Sequence, residues 1–326
     1  MGKRVLMIGA TGTIGRATVT KLTDAGYEVV CLVRPPGRSG SMTQEPRTIP
    51  MATVRFSDVT DPGSIQRDAI CGERFDVLVS CLASRTGAPK DAWKIDHNAH
   101  VNVLNAVKPA GVSQVILLSA ICVQKPLLEF QRAKLAFEKV LTESGLTYSI
   151  VRPTAFFKSL SGQIERVKRG KPFLVFGNGE LTACKPISDA DLGAYIADCI
   201  DNPARHNRVL PIGGPGDAIT PRQQGEHLFS LLGQPPKIKQ VPVRMLDIII
   251  AVLSAIGRVV PAMAAKAELA RIGRYYATES MLVFNNETDQ YDAAATPSTG
   301  SETLFDYYAQ VLSGESQPER GDHAVF

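Results

Sequence analysis

The chain has 326 residues, 44% of them hydrophobic and 21% charged, with a formal net charge of +4. That length supports one large or two small domains with a real core. A positive balance this weak and this evenly spread excludes a nucleic-acid binder driven by phosphate contacts, while leaving anionic ligands open. Six cysteines, Cys31, Cys71, Cys81, Cys122, Cys184 and Cys199, form no CxxC pair. Several lie in apolar runs, so they read as reduced, mostly buried thiols of a cytoplasmic protein, with no metal site expected.

No signal peptide is expected before "KRVLMIGA", which enters a strand directly. The first half then alternates strand-like runs with helical patterns. "RVLMIG", "EVVCLV", "ATVRF", "DVLVSCL" and "QVILLS" are rich in Val, Ile and Leu without polar alternation. Strands of that kind are buried on both faces, as in parallel sheets. Between them the spacing predicts helices over 14–25, 62–70 and 91–110, with Gly26 and Gly111 as C-terminal stops. The order β-α-β-α-β predicts a Rossmann-like, doubly wound parallel sheet of the α/β class.

A helix is expected over about 130–144, then the strand "TYSIVRP". Beyond Pro153 the pattern loosens. "DADLGAYIADCID" reads as a helix capped by Ser188 or Asp189, "RVLPIGG" as a strand, and 220–277 as mostly helical. The expected organisation is a dinucleotide-binding domain at 1–153, a smaller substrate-binding part at 154–311 interleaved with it, and a disordered tail at 312–326. The longest apolar stretch, "IIIAVLSAIG" at 248–257, is about half the roughly 20 residues that span a bilayer. It reads as a buried helix, an apolar cap or a helix at a membrane surface, and no basic face is evident.

"MIGATGTIGRAT" carries the strongest motif. Gly9, Gly12 and Gly15 follow a strand and open a helix. The first permits a tight turn, the second lets the backbone approach a pyrophosphate, and the third lets helix pack on sheet. Thr11, Thr13 and Ile14 lie within the same loop and helix start. At the end of the second strand, where an acid would hold a ribose hydroxyl, stands Arg34. A guanidinium pairs a 2′-phosphate in bidentate fashion, so NADP(H) is expected over NAD(H), with Arg38 as a second contact. Asp58, Leu82, Ala83, Ser84 and Pro153 follow or end strands on the expected dinucleotide path. His97 and His100 stand three apart on a helix without a third ligand in register, so Asn98 or His97 is expected near the cofactor rather than a metal.

Ser119 closes the fifth strand in "ILLSAIC", and Phe130 and Lys134 stand four apart in "LLEFQRAKLAFE". This resembles the short-chain dehydrogenase/reductase superfamily, whose Ser and Tyr-x-x-x-Lys fall at these places. Phe130 in the tyrosine position points to its atypical NmrA-like and isoflavone-reductase-like members. "SRTGAPKDAWKIDHNAHVNVLNA", "LLSAICVQKPLLEFQRAKLAFEKVL" and "TYSIVRPTAFFKSLSGQIERVKRGKPFLVFGNGELTACKPISDADLG" are similar to the divinyl chlorophyllide 8-vinyl reductases over about residues 1–285. That resemblance implies NADPH as cofactor, a magnesium tetrapyrrole as substrate, and reduction of its 8-vinyl group to ethyl on divinyl chlorophyllide or protochlorophyllide. It also implies that Lys134 holds the nicotinamide ribose or acts in catalysis.

Reduction of a conjugated vinyl group accounts for the missing hydroxyl. Charge delocalises into the macrocycle and a carbon is protonated afterwards, so no alkoxide needs a positioned acid. Phe130 is then expected against the apolar ring system, with the final proton coming from water or Lys134. Phe156 and Phe157 are expected to stack on a flat pigment, and Lys158, Arg152 or Lys185 to meet its propionate. Contact with a membrane surface suits so poorly soluble a ligand. Two rival readings remain open: a reductase of a phenolic or quinone-like substrate, and a non-catalytic NmrA-like NADP sensor.

Overall fold

The computed structural model describes residues 2–35 and 49–316. Eleven strands occur among them: β1 (Arg4–Ile8), β2 (Glu28–Val33), β3 (Thr53–Phe56), β4 (Val77–Ser80), β5 (Gln114–Leu118), β6 (Thr147–Pro153), β7 (Phe173–Phe176), β8 (Arg208–Ile212), β9 (Ile238–Val241), β10 (Val283–Asn285) and β11 (Gln290–Asp292). Seven of these form one parallel sheet in the order β3-β2-β1-β4-β5-β6-β8. The order reverses between β1 and β4, which is where ligands sit in doubly wound sheets, beyond the carboxyl ends of the strands.

Side chains of successive strand residues leave opposite faces of the sheet. Val5 and Met7 therefore enter one core, with Val19, Leu22, Leu192 and Ile196. Leu6 and Ile8 enter the other, with Val103, Val107, Phe137 and Leu141. Burying each such side chain contributes about 1.5–3 kcal/mol, which explains why these strands read as unbroken apolar runs.

Helices α1 (Thr13–Asp24), α2 (Pro62–Ser64), α3 (Pro89–Ala92), α4 (His100–Val107) and α5 (Glu129–Thr142) connect the first six strands. Between α3 and α4 the helix widens over Trp93–Ala99, a local irregularity often found at functional positions. After β6 come α6 (Phe157–Leu160), α7 (Ile164–Lys168) and α8 (Asp189–Asp198). Ser188 caps α8, its hydroxyl accepting from the Asp191 N–H. The later helices are α9 (Pro221–Leu231), α10 (Arg244–Gly257), α11 (Pro261–Thr278) and α12 (Leu304–Ser313).

The C-terminal part is interleaved with the sheet, since β8 pairs with β6 and α8 packs on α1. The 220–277 stretch is less helical than its pattern implies. β9 interrupts it and pairs in parallel with β7, a distant partner that no local spacing reveals. α12 runs through Ser313 to a left-handed Gly314, so the expected tail boundary at 312 falls inside a helix. Of the cysteines, Cys71 is exposed, while Cys31, Cys122, Cys184 and Cys199 are buried. No helix among the described residues is long and apolar enough to cross a membrane.

Candidate active site

The three motif glycines do different work. Gly9 has φ +76°, and a Cβ there would lie 2.4 Å from the Leu82 backbone nitrogen. A Cβ on Gly15 would lie 2.0 Å from the Gly9 carbonyl oxygen. Both positions exclude any side chain. Gly12 differs, because a Cβ there would meet only the Gly9 carbonyl, at 3.6 Å. Its outer side is open, as approach of a pyrophosphate requires. Gly12 is also the N-cap of α1 and has no side chain to cap it, and the first turn holds no acid. The leading N–H groups, with Thr13 and Ile14 at the helix start, are thus left for an anion. These features fit a dinucleotide.

Arg34 follows β2 and is exposed. Asp58 follows β3, where its Oδ1 accepts from the N–H (2.9 Å) and hydroxyl (2.8 Å) of Thr60. Those bonds, with Lys94 and Arg34 nearby, hold the Asp58 carboxyl below the usual carboxylate range. Leu82, Ala83 and Ser84 leave β4 beside Gly9, and Pro153 ends β6. Arg38 lies outside the described residues.

Phe130, Lys134 and Glu138 follow one another at four-residue spacing along α5, so they share a face. Lys134 donates to Asp96 Oδ1 at 2.9 Å. The lysine side chain is 13% exposed and that of Asp96 0%. Asp96 sits in the widened helix and also accepts from the Ser84 N–H at 3.2 Å. Burial pushes its carboxyl up, but the Lys134 ammonium and these hydrogen bonds outweigh it and hold Asp96 below the usual range. Its second oxygen, Oδ2, is buried without a hydrogen-bond partner. A small cleft lined by Asp96, His100, Leu118, Ser119 and Lys134 opens here.

His100 is a fixed neutral base behind this pair. Its Nδ1 lies 2.9 Å from the Ile95 carbonyl, which can only accept, so Nδ1 carries the proton. Nε2 then accepts from the Ser80 hydroxyl at 2.8 Å. Burial pushes the imidazole down to about 4. His97 instead meets its neighbour Asn98, at 2.8 Å.

Several expected roles change. Ser119 lines the cleft, but its hydroxyl donates to Glu138, which Arg152 clasps through two nitrogens. Arg152 is therefore occupied and does not await a propionate. Lys185 is likewise engaged, by the Thr296 carbonyl (3.0 Å) and the Ser298 hydroxyl (3.3 Å). Phe157 is buried in the C-terminal core, its ring 5.5 Å from that of Tyr307, so it presents no face to a pigment. Phe156 is half-buried against the first core of the sheet. Lys158 reaches back to the cofactor cradle, its Nζ donating to Thr13 Oγ1 at 2.8 Å.

Phe130 packs with Leu128, Ala133, Ile272 and Tyr275 in an apolar cluster roofed by α11. Tyr275 brings a phenol into that cluster. Its hydroxyl donates to the carbonyls of Cys122 (2.9 Å) and Lys125 (3.2 Å), and burial pushes its pKa up. It does not replace the missing acid.

The NAD(P)H-binding family model matches residues 9–203. The divinyl chlorophyllide a 8-vinyl-reductase of Cucumis sativus is 50% identical over 332 residues, covering 99% of this chain and 79% of the relative. That of Oryza sativa subsp. indica is 48% identical over 332 residues, covering 99% and 82%. The chain belongs to the divinyl chlorophyllide a 8-vinyl-reductase family. Both relatives are chloroplastic proteins by name. An NADPH-dependent quinone oxidoreductase of Escherichia coli, solved with NADPH, has a TM-score of 0.65 at 18% identity, covering 94% of this chain and 99% of that one. At that identity it supports the Rossmann-like fold alone.

Asp96 and Glu138 were not singled out by the sequence motifs. The signal for Asp96 is present: Ala92, Asp96, Ala99 and Val103 recur at helical spacing and all four are buried. A carboxylate within such an apolar stripe needs a buried cation, and Lys134 is that cation.

Proposed function

We propose that this chain reduces the 8-vinyl group of a 3,8-divinyl chlorophyllide or protochlorophyllide to ethyl, using NADPH. The carrying observation is near-half identity, over almost the whole chain, to proteins named for that reaction. The chemistry of the site agrees. Bound NADPH supplies a hydride. The chain's own residues bind, orient and exclude water. The glycine loop and the α1 N-terminus hold the pyrophosphate, and exposed Arg34 pairs a 2′-phosphate. Lys158, already at Thr13, serves the phosphates rather than the pigment. Lys134 orients a ribose hydroxyl, and the orphaned Asp96 Oδ2 accepts from one.

Phe130 and the cluster around it offer an apolar wall where a carbonyl reductase would place an acid. Such a wall suits a reaction that charges no oxygen. Half-buried Phe156 remains the aromatic side chain proposed to face the pigment. A place beside a membrane suits a flat apolar substrate, and the surface of α10 supplies a physical basis for it.

The test is anaerobic incubation of the purified chain with divinyl pigment and NADPH, followed by chromatography. An 8-ethyl product that needs NADPH is expected. NADPH binding without pigment conversion would instead support the sensor reading, and NADPH consumption with a quinone alone would support the other reductase.

A further inference from the structure

The segment α10 is apolar on nearly every side, yet none of its residues is buried. Its inner side, Leu246, Ile250 and Leu253, lies against α11, and at Gly257 a Cβ would be only 2.8 Å from the Ala264 nitrogen. Arg274 pairs with Asp247 and Arg271 donates to the Ser254 hydroxyl across the two helices, and Arg271 also pairs with Glu268 within α11. The outer side has no protein cover among the described residues. Met245, Ile248, Ile249, Val252, Ile256 and Val259 recur at helical spacing as one stripe, with Ile248 64%, Val252 52% and Val259 84% exposed.

Such a stripe on a chain of this size marks a contact surface. Arg244 and Arg258, at the two ends of α10, flank the stripe on one side by helical spacing, and Lys266 is exposed on α11. None of these three forms an ion pair among the described residues. We propose that the outer face of the α10–α11 hairpin rests on an anionic lipid bilayer. An apolar stripe with a basic flank is the pattern of a helix lying in the membrane interface, where long cationic side chains reach the headgroups. The helix is too short to span, so it lies on the surface. A second copy of the chain is the weaker occupant. A two-fold contact is self-complementary and would bring the same cationic flanks together. The other end of α11 carries Ile272 and Tyr275 into the Phe130 cluster, so the bilayer-facing hairpin is rooted beside the proposed pigment wall.

The experiment is flotation of the full chain with vesicles of phosphatidylcholine alone and with vesicles in which about a third of the lipid is phosphatidylglycerol. Two variants accompany it, Ile248→Glu with Val252→Glu, and Arg244→Gln with Arg258→Gln. All the substituted residues are exposed, and unchanged far-ultraviolet circular dichroism and NADPH binding confirm folding. The expected result is recovery with the anionic vesicles, weakened by salt and by the arginine variant, and reduced roughly tenfold or more by the glutamate variant. Absence of flotation, equal binding to both vesicle types, or binding that survives the glutamate variant would overturn the proposal. So would a dimer, detected by light scattering, that the glutamate variant dissolves without any lipid binding. Vesicle binding is read without pigment or turnover, so its failure is distinguishable from failure of the reductase reading.

Discussion

Lys134 and Asp96 form a pair whose members depend on one another. Removing one partner of a buried ion pair leaves the other charge uncompensated, at a cost of about 3–5 kcal/mol. Lys134→Met is therefore expected to lower the denaturation midpoint as well as turnover. Lys134→Met combined with Asp96→Asn should regain most of the stability and none of the activity, which urea titration and pigment assays would separate. If the double variant regained turnover, Lys134 would have only a structural role. Phe130→Tyr restores the superfamily's phenol at the missing position. Its expected effect on pigment turnover is neutral or negative, and a strong increase would contradict the reading of Phe130 as an apolar wall. Lys158→Met is expected to weaken NADPH binding about tenfold, as loss of one charge-assisted phosphate contact would. A raised pigment KM with unchanged NADPH affinity would return Lys158 to the propionate. His100 gives the fold an acid limit. Its ordinary value of 6.5 falls to about 4 on folding. Between those values the unfolded chain takes a proton that the folded chain refuses. Stability is fully present above 6.5 and declines towards pH 4, by on the order of 3 kcal/mol in total. The depressed Asp96 carboxyl acts in the same direction, its contribution being lost as pH falls below the usual carboxylate range. Urea midpoints measured across this range should slope for the wild type and flatten for His100→Asn.

Whole elements follow the sequence most closely where their partners are local or their burial is complete. Four of the five apolar runs became strands covered on both faces, β1, β2, β4 and β5, while "ATVRF" became the edge strand β3, with Thr53 and Phe56 exposed. The glycine loop was readable because backbone clearances dictate residue type. Gly15→Ala would drive a methyl group into the Gly9 carbonyl, and its expected outcome is loss of NADPH binding in fluorescence titration with the chain still largely folded. Elements defined by distant partners were not readable. β9 needs β7, and nothing within "KIKQV" identifies it as a strand rather than part of the helical run. The site residues divide in the same way. Lys134 and Gly12 stood out through motif spacing. The commitments of Ser119 and Arg152 to Glu138, of Phe157 to Tyr307 and of Lys158 to Thr13 depend on tertiary contacts across layers. A sequence scan sees aromatic and basic residues near a strand end, not which way each one turns.

The molecule as a whole joins a phosphate-binding sheet edge to an apolar roof. The cofactor cradle lies at the reversal of strand order, the Lys134–Asp96 pair stands beside it, and α11 closes the Phe130 cluster from the other side. On the proposed reading, that arrangement separates a polar half for the dinucleotide from a greasy half for a flat ring. The central claim is that a hydride passes between those halves directly to the 8-vinyl group. The most direct test is anaerobic turnover of divinyl chlorophyllide with NADPH deuterated at nicotinamide C4, followed by mass spectrometry of the pigment. A single deuteron in the 8-ethyl group of the product is the expected result. An 8-ethyl product without label, or pigment left unreduced while NADPH is bound, would contradict it.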